Sequence, residues 1–173
     1  MKKILAISGS LRWGSSNHSI LQFLGSMAPA DVEYTIYNGL SQIPAFDPGL
    51  DNDCPPAPVA SLRKLLTEAD GLIICTPEYA FGVPGSLKNA LDWLVSSSTL
   101  VDKPVALITA SSAGEYAHAS LLLTLGALTA NVIPETTLLI QFIRSKMDSE
   151  GNVKDEETAK KLQETIAVFL KAV

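Results

Sequence analysis

The chain has 173 residues, 47% of them hydrophobic and 18% charged, which suits one domain with a full buried core. Its net charge of −5 argues against sequence-independent binding to nucleic acid, which needs a basic face. No apolar run approaches the roughly 20 residues of a membrane span. The opening MKKILAISGS has an apolar core only from Ile4 to Ile7, too short for a secretory leader. Cys54 and Cys75 have no metal-ligand spacing and do not make a disulfide framework, so a cytoplasmic protein without a metal is expected.

Apolar strand-like runs alternate with helix-period segments along the chain. KKILAIS (2–8) predicts a buried strand, and HSILQFLGSMA (18–28) a helix with Ile20, Leu21, Leu24 and Met27 on its apolar stripe. DVEYTIYN (31–38) alternates as an edge strand does. A stretch from Gly39 to Ala57 follows with Pro44, Pro48, Pro55 and Pro56; a loop that long has a function or moves. PVASLRKLLTEA (58–69) predicts a helix and GLIICTP (71–77) a continuous apolar strand. PGSLKNALDWLVSS (84–97) predicts a helix with Pro84 in its first turn. KPVALITAS (103–111) predicts a strand, YAHASLLLTLGALTA (116–130) a helix, and NVIPETTLLI (131–140) a fifth strand. The last segment, 155–173, predicts a helix with Ala159, Leu162, Ile166, Phe169 and Val173 on its stripe. Its acids lead and its lysines follow, with Glu156–Lys160 and Glu157–Lys161 at i,i+4 spacing.

Five strands alternating with helices imply an α/β fold: a doubly wound parallel sheet of order 2-1-3-4-5, helices on both faces, in a single domain spanning 1–173. Ligands of such sheets bind outside the carboxyl ends of the strands, near the switch point between the first and third. The chemistry is therefore expected in loops 9–17, 77–86 and 111–116.

The first of these loops, SGSLRWGSSN (8–17), delivers a strand into a helix N-terminus, where unpaired N–H groups and the helix dipole favour an anion. Ser10, Ser15 and Ser16 add hydroxyl donors, Asn17 an amide, and Arg12 a guanidinium whose planar fork suits a phosphate. The loop has neither the P-loop pattern nor G-x-G-x-x-G, and its donors fit a terminal phosphate monoester better than a pyrophosphate. A helix cap of Ser and Asn is the simpler alternative. In the second loop, Pro77, Gly82, Pro84 and Gly85 frame a rigid turn carrying Tyr79 and Phe81, suited to a flat heterocycle.

GSLRxxSxN followed by PEYxxxxPGxLKNAxDW resembles the NADPH-dependent FMN reductase family of flavodoxin-like proteins, which includes quinone, azo-dye and chromate reductases. The resemblance runs from SGSLR through IPAFDP (43–48) to the last helix. It implies FMN as cofactor, NADPH or NADH as electron donor and a small-molecule acceptor. It places the phosphate at Ser10, Arg12, Ser15 and Asn17 and the ring at Pro77, Glu78 and Tyr79; the reading of the two loops adds Ser16, Ala80, Phe81 and Gly82 to the expected cofactor site. Ser111, Ser112 and Gly114 of SSAGEY line the other side of the ring. Ala80 stands where the family usually has Asn, and Gly82 where Ser is usual, so hydrogen bonds at the ring edge then come from backbone or water.

With FMN bound, the flavin performs the chemistry in a ping-pong cycle and no side chain is required as acid or base. Backbone N–H groups of residues 79–82 are expected to stabilise the reduced ring. Glu78 reads as a turn carboxylate bonded to nearby N–H groups, His18 and His118 as non-catalytic, and Cys75 as core. Leu87, Ala90, Leu91, Leu94 and Val95 form the expected buried face of helix 84–97. Trp93 falls outside it and suggests a homodimer or dimer of dimers through that helix, with loop 39–57 reaching the partner's flavin. Trp13 caps the pocket, meets a partner subunit or packs locally. An electron carrier of the flavodoxin kind, and a non-catalytic binding protein of the same fold, are the alternative functions.

Overall fold

The computed structural model describes residues 1–173. Its strands are β1 (Lys2–Ser8), β2 (Val32–Tyr37), β3 (Gly71–Thr76), β4 (Pro104–Ala110) and β5 (Asn131–Ile140). Its helices are α1 (Ser16–Ser26), α2 (Ala57–Glu68), α3 (Gly85–Asp92), α4 (Glu115–Ala127) and α5 (Glu156–Ala172), with 3-10 turns at Leu40–Gln42 and Ile143–Lys146. All neighbouring strands pair in parallel in the order β2-β1-β3-β4-β5. The expected topology is observed, with the alternating strand β2 at one edge.

Strand side chains point alternately to the two faces, so each central strand feeds two cores. Leu5, Ile7, Leu72, Ile74, Val105 and Leu107 pack under α2, α3 and α4. Ile4, Ala6, Ile73, Cys75, Ala106 and Ile108 pack under α1 and α5. Coverage on both faces explains why β3 is buried along its whole length and carries no polar alternation. Helix α5 starts where the Asp155 carboxylate accepts the Thr158 N–H at 2.8 Å, an N-cap. Its Glu157–Lys161 pair closes at 2.6 Å, whereas Lys160 lies near Glu164 at 3.9 Å rather than pairing with Glu156.

Helix α3 corrects two expectations. It ends at Asp92, and Val95, beyond it, is exposed. Trp93 is fully buried within the chain, so it presents no second surface to a partner. Its indole N–H donates to the Pro44 carbonyl at 2.8 Å and its ring meets Phe46 edge-on at 5.1 Å. The Asn89 amide donates to the same carbonyl at 2.8 Å and accepts the Phe46 N–H at 2.8 Å. Arg63 reaches from α2 to the Asp51 carboxylate at 2.7 Å and also donates to the Trp93 carbonyl. The proline-rich segment is therefore fastened over α2 and α3 of its own chain, and the residue that looked unpartnered on the helix is the one it covers.

Asn89→Ala removes both bonds to this segment. Stability is expected to fall by about 1–3 kcal/mol, read from the denaturant midpoint, with faster hydrogen exchange at the Phe46 amide.

Candidate cofactor site at the carboxyl edge of the sheet

The loops after β1, β3 and β4 meet at the carboxyl edge of the sheet around a cavity of about 280 Å³. Ser10, Arg12, Ser15, Ser16 and Asn17 line one side, Pro77, Glu78 and Tyr79 a second, and Ser111 and Ser112 a third. Most of the expected site residues are thus brought together. Ala80, Phe81, Gly82 and Gly114 are not in the lining. The first three form the turn at the rim, and Gly114 lies buried behind it.

The first loop is tightly made. Gly9 is required by close approach, since a Cβ there would come within 2.1 Å of Thr76 Oγ1. Ser10 Oγ accepts the Arg12 N–H at 3.3 Å and lies 3.5 Å from the Tyr79 hydroxyl, which joins the first loop to the second. Ser15 is the α1 N-cap, its Oγ accepting the His18 N–H at 3.2 Å. The N–H groups of Ser16 and Asn17 have no acceptor in the chain and stand at the positive end of the helix dipole. Cap and anion seat are compatible here, because the Ser15 oxygen satisfies one orphan N–H and leaves these two.

Asn17 departs from its expected role as a side-chain donor. Its side chain is buried; Nδ2 donates to the Ala110 carbonyl at 3.3 Å, and Oδ1 accepts from Cys75 Sγ at 3.3 Å. Burial pushes the Cys75 thiol up, keeping it protonated as that donor. Asn17 therefore ties α1 to β3 and β4 and offers the cavity its backbone.

Glu78 is the hinge between the second and third loops. Its N–H donates to Ser111 Oγ at 3.2 Å, and its carboxylate accepts the N–H groups of Gly114 at 3.3 Å and Ala117 at 2.9 Å. The expected turn carboxylate thus neutralises the N-terminus of α4. Gly114 has φ 113, and a Cβ there would lie 2.9 Å from Leu139 Cδ1, so glycine is needed.

The turn after Tyr79 also differs from expectation. Tyr79 and Gly82 exchange N–H···O=C bonds of 3.0 Å each, with Ala80 at φ 49 and Phe81 at φ 59 between them. This is the pattern of a type I′ turn, which favours Asn-Gly because both central residues are left-handed. The N–H groups of Tyr79 and Gly82 are consumed by the turn, and only those of Ala80 and Phe81 stay without a partner. Phe81 and Tyr79 are exposed, and Phe81 meets the exposed Tyr116 ring edge-on at 5.3 Å.

His118 donates to or accepts from Thr109 Oγ1 at 2.9 Å, and burial pushes its imidazole below the ordinary histidine value. Trp13 is exposed and packs on the His18 ring at 4.9 Å, the local-packing alternative. No helix is long and apolar enough to cross a membrane. Sequence reasoning missed Arg144, which enters the same cavity from the turn after β5. In a parallel sheet every strand ends on this edge, so the loop after the fifth opens on the same side as the other three.

A five-stranded parallel sheet of this order, with helices on both faces, defines the class: a flavodoxin-like α/β protein. Residues 2–144 match the family described as NADPH-dependent FMN reductase, and the chain belongs to that family. It is 35% identical to a quinone reductase of Escherichia coli strain K12, over 96% of this chain and 93% of that one. It is 30% identical to an NAD(P)H-dependent FMN reductase of Pseudomonas aeruginosa, over 95% of this chain and 91% of the relative. Among solved structures it resembles FerB, a flavoenzyme NAD(P)H:(acceptor) oxidoreductase from Paracoccus denitrificans, with a TM-score of 0.85 and 28% identity over 99% and 96% of the two chains.

The family's usual Asn at position 80 gains a second explanation from the turn: Asn tolerates the left-handed conformation better than Ala. Ala80→Asn is expected to raise stability by about 0.5–1 kcal/mol, measured by urea denaturation; a loss of stability would contradict the assigned strain.

Proposed function

We propose that the protein is an NAD(P)H-dependent FMN oxidoreductase that reduces small acceptors such as quinones. The observation that carries this reading is the open N-terminus of α1. Two unpaired N–H groups, three serine hydroxyls and the Arg12 guanidinium line one cavity, directly across from the aromatic turn of the second loop. That donor set fits the terminal phosphate of FMN, a dianion that needs several hydrogen bonds and a cation.

FMN held here would supply the two-electron redox chemistry that links NAD(P)H to the acceptor. The chain's task is to hold and surround it. Ser10, Arg12, Ser15 and Ser16, with the backbone of Asn17, hold the phosphate end. Pro77, Glu78 and Tyr79 form the adjoining wall, with Ser111 and Ser112 opposite. The unpaired N–H groups of Ala80 and Phe81 are available to a heterocycle's polar edge, and as pre-set donors they need no reorganisation when negative charge develops there. Tyr79, Phe81 and Tyr116 give the rim a flat apolar surface against which a planar acceptor displaces water. No carboxylate or imidazole at the cavity is needed for proton transfer. Glu78, the acid in the lining, has both oxygens engaged by α4.

The purified protein is expected to bind one FMN per chain, seen as a yellow species with a flavin visible spectrum, and to oxidise NAD(P)H with a quinone acceptor. Arg12→Ala should weaken FMN by roughly 1.5–3 kcal/mol, measured by fluorescence titration, without loss of the folded circular dichroism signal. Protein that stays colourless after incubation with FMN would refute the reading.

A further inference from the structure

Arg144 follows β5 in the 3-10 turn Ile143–Lys146. Its place is set by the backbone. The Phe142 and Ile143 N–H groups donate to the Ser112 and Ser111 carbonyls at 3.3 and 3.1 Å, and the Ile143 side chain is buried. Phe142 itself adopts a left-handed conformation, φ 53 and ψ 37, an unusual state for a bulky residue. The chain therefore bends sharply at the end of the sheet, and the bend brings Arg144 to the wall of the 280 Å³ cavity that Arg12 also lines.

The chain has three arginines. Arg63 is spent on Asp51, Ser96 and the Trp93 carbonyl. Arg12 and Arg144 have no side-chain hydrogen bond or ion pair within the chain, although it carries 18 acidic residues. Two unpaired like charges at one cavity repel each other until a counter-charge enters. The cavity's own acid, Glu78, is turned to α4. Beyond the two arginines lies a second opening, lined by both of them and by Asp148 and Glu150. Asp148 is closed onto the N–H groups of Glu150 and Asn152 at 2.9 and 2.8 Å, which holds it there as a carboxylate.

From these positions we infer that Arg144 is the second cation of the phosphate seat, and that the pair selects a terminal phosphate monoester. The inference rests on the proposed FMN site and deepens it. A ligand without the phosphate, such as riboflavin, leaves two arginines uncompensated. A ligand whose phosphate continues into a second one, such as FAD, carries that charge toward Asp148 and Glu150. FMN alone of the three places a dianion between the arginines and nothing beyond them.

Fluorescence titration of wild type, Arg12→Ala and Arg144→Ala with FMN, riboflavin and FAD tests this, with Arg144→Lys as a charge-conserving control. Arg144 is exposed and unpartnered, so its removal should leave the thermal midpoint unchanged. The expected result is that Arg144→Ala weakens FMN about tenfold, leaves riboflavin unchanged and flattens the salt dependence of FMN binding, while Arg144→Lys retains most of the affinity. FMN binding by Arg144→Ala equal to wild type, alongside weakened binding by Arg12→Ala, would overturn the inference and leave the FMN site standing. Equal loss of FMN and riboflavin would also overturn it, because the effect would not act through the phosphate. Failure of wild type to bind FMN would overturn the site and the inference together.

Discussion

Parallel strands all end on one edge, and the helices that follow them begin there with N–H groups that no helical carbonyl can reach. Each such N-terminus must find an acceptor, and the two that flank this cavity find different ones. At α4 the acceptor is internal: the Glu78 carboxylate, brought from the loop after β3, takes the Gly114 and Ala117 N–H groups. At α1 the Ser15 hydroxyl takes only the His18 N–H, and the Ser16 and Asn17 N–H groups are left over. The molecule thus closes one positive helix end with its own acid and holds the other open. Arg12 and Arg144 line the cavity beside the open one, and the proposed function reads that end as the seat of a dianion.

The rest of the architecture keeps that end in register. Gly9 lets the first loop leave β1 against Thr76, and the buried Asn17 amide bridges Cys75 of β3 and Ala110 of β4. The Ser10–Tyr79 and Glu78–Ser111 contacts then link the three loops laterally. Under the proposed function a phosphate and its attached ring would meet groups already fixed by the sheet, leaving little ordering to oppose binding.

Much of this was legible in the residues. Continuous apolar runs marked the central strands, the alternation of DVEYTIYN marked the edge strand, and the parallel topology pointed to the loops at the carboxyl edge. What escaped was non-local or conformational. Trp93 looked unpartnered because helical periodicity sees only one helix; the chain that covers it, at Pro44 and Phe46, lies more than forty residues earlier. Asn17 looked like a ligand donor because nothing local tells a buried amide from an exposed one. The left-handed turn at Ala80–Phe81 carries neither Asn nor Gly at its centre, so its usual signal is absent. Arg144 sits in a loop whose composition is unremarkable, and only the fold brings it beside Arg12.

The central claim, a dianion held at the open α1 N-terminus, is tested most directly by phosphorus NMR of the FMN complex across pH 5–8. A free phosphate monoester titrates with a pKa of about 6. A phosphate fixed by orphan N–H groups and arginines should give one resonance at the dianion position, unmoved across that range. A bound resonance that titrates as the free ligand does would place the phosphate in solvent and contradict the account.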